Sequence, residues 1–77
     1  MQIHIRLHGI LREKLPPEAK GITTLEMPAE ASVQDVLDHF EIHRRVGIAV
    51  NEEVEVAPDH PLQPGDRMEV FRVAAGG

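Results

Sequence analysis

The sequence predicts an α+β fold in which one main helix packs across a mixed sheet of four to five strands. Several segments alternate apolar and polar residues, and one segment repeats apolar residues with helical spacing. The first pattern is typical of half-buried strands and the second of an amphipathic helix. Packing the helix on the sheet hides both apolar faces. With 77 residues, the chain is long enough for one small domain, which we assign to residues 1–77.

Two strands are predicted before the helix. The first begins at Ile3, and the second spans Ile22 to Met27 and pairs antiparallel with it. A short helical turn over Ile10 to Leu15 lies between them, and Pro16 ends it. The side chains expected to face the core are Ile3, Ile5, Leu7, Thr23, Leu25 and Met27.

The main helix is predicted to begin after Ser32. This residue is an N-cap candidate, and Asp35 follows at the spacing of a capping box. We expect the helix to end between Phe40 and Ile42. Its apolar stripe, at positions i, i+3, i+4 and i+7, consists of Val33, Val36, Leu37 and Phe40.

Three further strands are predicted after the helix: Ile48 to Val50, Val54 to Val56, and Arg67 to Val73. Residues 51–53 form a turn that lacks the glycine of a strong hairpin signal. If the first and last strands are central and parallel, this order of elements gives a β-grasp arrangement.

The last predicted strand has two distinct faces. Met68 and Val70 are expected to face the helix, which directs Phe71 to the opposite, outward face. An outward aromatic side chain near the end of the chain is a candidate anchor for a protein partner. The open alternative is that the strand register or a bulge buries Phe71.

Composition excludes several classes of function. The absence of cysteine excludes disulfides, iron–sulfur clusters and a cysteine nucleophile. A formal charge of −5, with neither Trp nor Tyr, argues against binding to nucleic acid or to an anionic membrane. No apolar run approaches the roughly 20 residues of a membrane span, and the N-terminus has no signal-peptide core. We therefore expect a cytoplasmic protein that is monomeric on its own.

No metal site is predicted. His39 and His43 have a spacing that suits one helix face, but no third ligand is indicated. His4 and His8 are expected to be solvated, as is Arg67. The acidic residues of the 52–59 segment resemble a solvated rim, with electrostatic docking to a basic partner as the alternative. These acidic residues are Glu52, Glu53, Glu55 and Asp59.

The C-terminus ends in two glycines directly after the last strand. One interpretation is an inert, poorly ordered terminus. The other is a reactive carboxylate on a slender arm, because glycine has no Cβ and adopts extended conformations in narrow spaces. Such an arm would thread a channel in a partner and present its carboxylate to ATP.

The sequence from Gly65 to Gly77, GDRMEVFRVAAGG, resembles the ending of the MoaD/ThiS family of sulfur carriers, which are ubiquitin-like β-grasp proteins. The resemblance covers essentially the whole chain. Leu11-Arg12-Glu13 is similar to the opening of molybdopterin-synthase small subunits. Val50-Asn51 is similar to the family's third strand and turn, with Glu52 where a glycine usually follows.

This resemblance implies a carrier rather than an enzyme. An E1-like adenylyltransferase would adenylate the Gly77 carboxylate with ATP and magnesium, and a persulfide donor would convert it to a thiocarboxylate. The carrier would bind no cofactor itself and would deliver sulfur to a large synthase subunit or to a thiazole synthase. The tail, residues 73–77, would be flexible. The residues expected to thread the partner's active site are Ala74, Ala75 and Gly76, and those expected to bind the partner are Phe71, Arg72 and Val73.

The destination of the sulfur stays open at this point. Length and Leu11-Arg12-Glu13 favour molybdopterin, although Arg72-Val73 stands where many small subunits have prolines. The tail is also similar to that of the thiamin sulfur carrier. Carriers for the tungsten cofactor or for tRNA thiolation would look the same. A ubiquitin-like modifier that forms isopeptide bonds through Gly77, and a plain interaction domain with an inert tail, are the alternatives from other classes.

Overall fold

The computed structural model describes residues 1–73, which form an α+β fold. The strands are β1 (Gln2–Leu7), β2 (Ile22–Glu26), β3 (Val46–Val50), β4 (Glu53–Val54) and β5 (Arg67–Arg72), and the helix is α1 (Val33–His39). Two short 3-10 turns, Gly9–Lys14 and Pro17–Ala19, connect β1 to β2. The helical turn predicted between the first two strands is therefore confirmed.

The five strands form one mixed sheet in the order β2-β1-β5-β3-β4. The central strands β1 and β5 are parallel, with Ile5 opposite Met68 and Leu7 opposite Val70. The pairs β1–β2, β3–β5 and β3–β4 are antiparallel. This topology is the predicted β-grasp.

The core lies between the sheet and α1. The inward faces of β1 and β5 are fully covered, as shown by Ile3 and Val70, which are both 0% exposed. Each large apolar side chain that is buried in this way contributes roughly 1.5–3 kcal/mol. Among the described residues no polar side chain is buried. The predicted core residues found buried are Ile3, Ile5, Leu7, Val33, Val36, Leu37, Phe40, Met68 and Val70.

Helix α1 begins as its capping signal predicts. The Ser32 backbone N–H donates a hydrogen bond to Asp35 Oδ2 at 2.8 Å, which satisfies a donor that the first turn leaves free. The helix ends at His39, with Phe40 as the C-cap and Glu41 in the left-handed region at φ 55°. His43 therefore lies beyond the helix and shares no helix face with His39.

The β3–β4 hairpin is tighter than the sequence predicts. Val50 pairs with Glu53 across a two-residue loop, Asn51-Glu52, in which both residues have positive φ (51° and 74°), as a type I′ turn requires. The predicted fourth strand, residues 54–56, is wrong in its bounds, because Glu55 has φ 62° and leaves the strand conformation. The strand consists of Glu53–Val54 alone.

The Asn51 side chain ties this hairpin to the start of β5. Its Oδ1 accepts a hydrogen bond from the Arg67 backbone N–H at 2.9 Å, and its Nδ2 donates to Asp66 Oδ1 at 2.9 Å. This connection holds the start of β5 in register with β3, and the opposite end of β5 leads to the C-terminus.

Candidate functional site

The predicted partner-binding residues lie at the C-terminal end of β5. Phe71 and Arg72 are the last two residues of the strand, and Val73 follows it with 39% of its surface exposed. Arg72 pairs in register with Val46, the first residue of β3. The predicted strand thus ends one residue earlier than expected. The predicted tail residues Ala74, Ala75, Gly76 and Gly77 lie outside the described residues.

Phe71 faces outward, as the alternation along β5 predicts, because Met68 and Val70 are both in the core. It is nevertheless half-buried rather than fully exposed. Its partner in register on β3 is Gly47. A Cβ atom at Gly47 would lie 2.7 Å from the Phe71 Cδ2 and Cζ atoms, so the ring lies directly against the backbone of β3.

A shallow cleft of about 490 Å³ adjoins the Phe71 ring. Apolar atoms of Val46, Val56 and Val73 contribute to its walls, and its charged lining consists of Arg45, Arg72 and Glu55. Both arginines are exposed. The cleft therefore combines an apolar interior with two arginines and one carboxylate, which leaves a net positive charge next to the end of β5.

Neither arginine of this cleft forms an ion pair with a described carboxylate, although Glu55 lines the same cleft. Within residues 1–73, no Asp or Glu oxygen lies within 4.0 Å of Arg45 or Arg72, and the ion pairs found lie elsewhere. Arg67, at the opposite end of β5, is exposed as expected and lies 3.6 Å from Glu52. The chain is acidic as a whole, but the surface near the end of β5 carries unpaired positive charge.

On the outer face of the sheet, one histidine contacts a glutamate, and the sequence does not reveal this contact. His8 Nε2 lies 2.7 Å from Glu69 Oε1, with both side chains partly covered. His8 is therefore only partly solvated, with 43% of its side chain exposed, and it has a carboxylate partner that the sequence does not predict. His4 Nδ1 lies 3.4 Å from Thr24 Oγ1, a longer contact on an exposed part of the face. Only the alignment of β1 with β5 brings His8 to Glu69.

The structure assembles no metal-binding cluster in the part of the chain that it describes. Groups of three or more His, Cys, Asp or Glu side chains with suitable geometry are absent from residues 1–73. The acidic rim is exposed, as expected for Glu52, Glu53, Glu55 and Asp59. None of the helices within residues 1–73 has the length and apolar composition needed to cross a membrane.

Sequence reasoning missed Gly47 and Arg45 as parts of the site. Gly47 lies between Val46 and the apolar run 48–50 and carries no signal of its own, since its importance depends on which residue stands opposite it on β5. Arg45 follows Arg44 in an exposed segment. Its place beside Arg72 depends on the same β3–β5 register.

Comparison with solved structures identifies the fold. Haloferax volcanii SAMP1 superposes with a TM-score of 0.73 at 18% identity, with both chains covered completely. A putative molybdopterin converting factor subunit 1 from Pyrococcus furiosus gives 0.76 at 20% identity, covering 96% of this chain and 99% of that one. The complex of subunits 1 and 2 of the molybdopterin-converting factor from Helicobacter pylori 26695 gives 0.64 at 18% identity, with full coverage of both chains.

Sequence comparison identifies the family. No curated protein matches the chain at a significant level of similarity. The profile of the ThiS family, in contrast, matches residues 5–77, which is nearly the whole chain and includes the C-terminal glycines. The β-grasp topology and the structural neighbours agree with that match. The chain therefore belongs to the ThiS family of ubiquitin-like sulfur carriers.

Proposed function

We propose that this chain carries sulfur as a thiocarboxylate on Gly77 and donates it to the biosynthesis of molybdopterin or a related cofactor. The observation that best supports the proposal is the end of β5: the strand stops at Arg72, beside an apolar cleft, and five residues follow it. Five extended residues span at most about 18 Å. That length suits an arm that enters a partner's active site while the cleft contacts its surface.

The first chemical step is activation of the terminal carboxylate. A Gly77 carboxylate oxygen attacks the α-phosphorus of ATP, and pyrophosphate leaves. The acyl-adenylate that forms is a mixed anhydride whose carbonyl carbon is open to nucleophiles. The E1-like enzyme supplies the ATP and magnesium site, and the carrier supplies the carboxylate.

The second step introduces sulfur. The terminal sulfur of a persulfide attacks the Gly77 carbonyl carbon, AMP leaves, and an acyl disulfide forms. A thiol then attacks the disulfide, which releases the thiocarboxylate and a new disulfide. Because the chain has no cysteine, no thiol of its own competes in either reaction.

Phe71, Arg72 and Val73 are the proposed contacts with the partners. Aromatic and arginine side chains are enriched among residues that dominate binding energy, and the unpaired Arg72 suits an acidic patch on a partner. The Helicobacter pylori relative is a complex of subunit 1 with subunit 2. By analogy, we propose that the same surface binds a large synthase subunit when sulfur is delivered.

The second candidate is sulfur delivery to the thiazole of thiamin. The match to the ThiS family favours it, as does the similarity of the tail. Both candidates share the chemistry at Gly77 and differ only in the acceptor. Incubating the thiocarboxylated carrier with a molybdopterin precursor and large subunit, or with a thiazole synthase and its substrates, separates them by product.

The activation step is tested by ATP–pyrophosphate exchange with the E1-like adenylyltransferase encoded in the same genome. The full chain should support exchange, and a variant lacking Gly77 should not. The thermal unfolding of this variant should match that of the full chain, because position 77 is five residues beyond the end of β5 in the sequence. Arg67→Gln, at the opposite end of β5 from the tail, serves as the control and should retain exchange. Exchange by the Gly77 deletion at the full-length rate would contradict the proposal.

A further inference from the structure

We infer that Gly47 is a positioning residue for partner recognition, and that it acts through the Phe71 ring. Without a side chain at position 47, the ring lies against the backbone of β3 and presents its other face beside the cleft. The partner that recognises this arrangement is the E1-like adenylyltransferase. The inference rests on the proposed function, and it adds a residue that makes no contact with the partner itself.

The contact geometry shows that position 47 has no room for a side chain, which explains why it is occupied by glycine. Gly47 stands opposite Phe71 in the β3–β5 register, and a Cβ built on it meets three atoms of the Phe71 ring. The nearest is Cε2, with Cδ2 and Cζ at 2.7 Å. Real Cβ atoms do not approach carbon atoms so closely, so any larger residue would displace the ring from β3.

Backbone conformation does not explain the glycine. Gly9, Gly21 and Gly65 have positive φ angles, whereas Gly47 does not. An L-residue would adopt the strand conformation of position 47 without strain. Glycine in a strand interior is entropically unfavourable and contributes no side-chain packing. The main structural effect of Gly47 is therefore the space that it leaves for the Phe71 ring.

The resulting surface has the features of a docking site for one kind of partner. The ring is only half-buried, and Val73 beside it is 39% exposed. Arg45 and Arg72 belong to the same cleft and have no carboxylate of the described residues within 4.0 Å. Glu55 also lines the cleft, so the two arginines leave it a net positive charge. An apolar side chain bordered by carboxylates would complement this surface. Because the surface adjoins the segment that leads to Gly77, its occupant is the enzyme that activates that carboxylate.

Replacing Gly47 by alanine should move the ring without unfolding the domain. The ring is the outer end of a side chain with solvent on one side, so it can rotate away from β3. We expect the unfolding midpoint of Gly47→Ala to stay within about 5 °C of the wild type, the shift of a small stability change in a domain of this size. In ATP–pyrophosphate exchange, KM for the carrier should rise about tenfold, equivalent to ~1.4 kcal/mol, while kcat stays unchanged.

A double-mutant cycle separates an effect through the ring from a direct clash with the partner. If Gly47 acts only through Phe71, Gly47→Ala should add nothing to the KM increase of Phe71→Ala. Additive effects would overturn the inference, because they would mean that the new methyl group itself obstructs the partner. An unchanged KM for Gly47→Ala, with a raised KM for Phe71→Ala, would overturn it while leaving the docking role of Phe71 in place.

A measurement on the free protein tests the geometry independently of any enzyme. The Gly47 Hα protons lie against the ring, so their NMR signals should show a ring-current shift that disappears in Phe71→Ala. Normal shifts in the wild type would overturn the inference at its first step. If the shifts are as expected but the wild-type chain is not adenylated, the proposed function fails, and the role of Gly47 in recognition fails with it.

Discussion

Val70 and Phe71 are neighbours on β5 that face opposite sides of the sheet, so alanine substitutions at these two positions should have opposite consequences. Val70 is 0% exposed and lies in register between Leu7 and Ile48. Val70→Ala removes two methyl groups, worth about 1.6 kcal/mol at ~0.8 kcal/mol per carbon. The cavity left behind raises the expected loss to about 2–3 kcal/mol.

Phe71→Ala should cost less stability despite removing more atoms. The ring packs on Gly47 from the outside and is absent from the buried core. A fully buried Phe loses about 3–5 kcal/mol on truncation, so a half-buried ring on one face should lose about 1–2 kcal/mol. Its larger effect should be a raised KM for the carrier in the activation reaction.

The aromatic composition of the chain determines how its unfolding is measured. The chain has no Trp or Tyr, so unfolding is best followed by far-UV circular dichroism rather than by fluorescence. At about 4–8 °C per kcal/mol for a domain of this size, the midpoint should fall about 10–20 °C for Val70→Ala and about half as much for Phe71→Ala. ATP–pyrophosphate exchange is then measured at a temperature where both variants are folded.

Two results would refute the reasoning. A loss of about 3 kcal/mol or more for Phe71→Ala would show that the ring belongs to the core. A KM increase for Val70→Ala as large as that for Phe71→Ala, with both proteins folded, would show that the outer face of β5 has no special part in recognition.

Three further substitutions, two of them with a control, test the β3–β4 hairpin, the helix cap and the positive charge at the end of β5. Glu52→Gly should stabilise the chain by about 0.5–1 kcal/mol, because Glu52 has φ 74° and glycine adopts that region freely; a lower unfolding midpoint would contradict this. Asp35→Ala should lower the free energy of unfolding by about 1 kcal/mol, because the variant loses the helix cap. Asp38→Ala, in the last turn of the helix, should be nearly neutral in the same assay. Equal losses of stability in the two variants would argue against the cap. Arg72→Gln should raise KM for the carrier severalfold, and the increase should be larger at low salt than at high salt because salt screens the attraction. Arg67→Gln, on the same strand, should leave KM unchanged. Equal responses of the two variants would show that Arg72 is not part of the docking surface.

The sequence predicts most of the fold because its strongest signals are local. The alternation around Ile3 and that around Met68 assign the inward faces of β1 and β5 correctly. The Ser32–Asp35 spacing marks the beginning of the helix, and the apolar stripe marks its buried face. These signals involve residues within one or two turns or strand repeats of one another.

Two of the features that escaped prediction depend on residues far apart in the sequence, and a third depends on an unusual backbone conformation. Phe71 is half-buried because the β3–β5 register places it over Gly47. His8 meets Glu69, which lies 61 positions further along the sequence, because β1 and β5 are parallel neighbours. The fourth strand is shorter than predicted because Glu55 adopts a left-handed conformation, which glutamate only rarely does. None of these follows from a local pattern.

The central claim, that Gly77 carries sulfur, is tested most directly by intact-mass spectrometry of the full chain. The chain is incubated with ATP, magnesium, a persulfide donor, a thiol and the E1-like adenylyltransferase, and a sample without ATP is the control. We expect a mass increase equal to the difference between sulfur and oxygen, dependent on ATP and located at Gly77 by fragmentation. An unchanged mass, while the enzyme adenylates an established carrier under the same conditions, would contradict it.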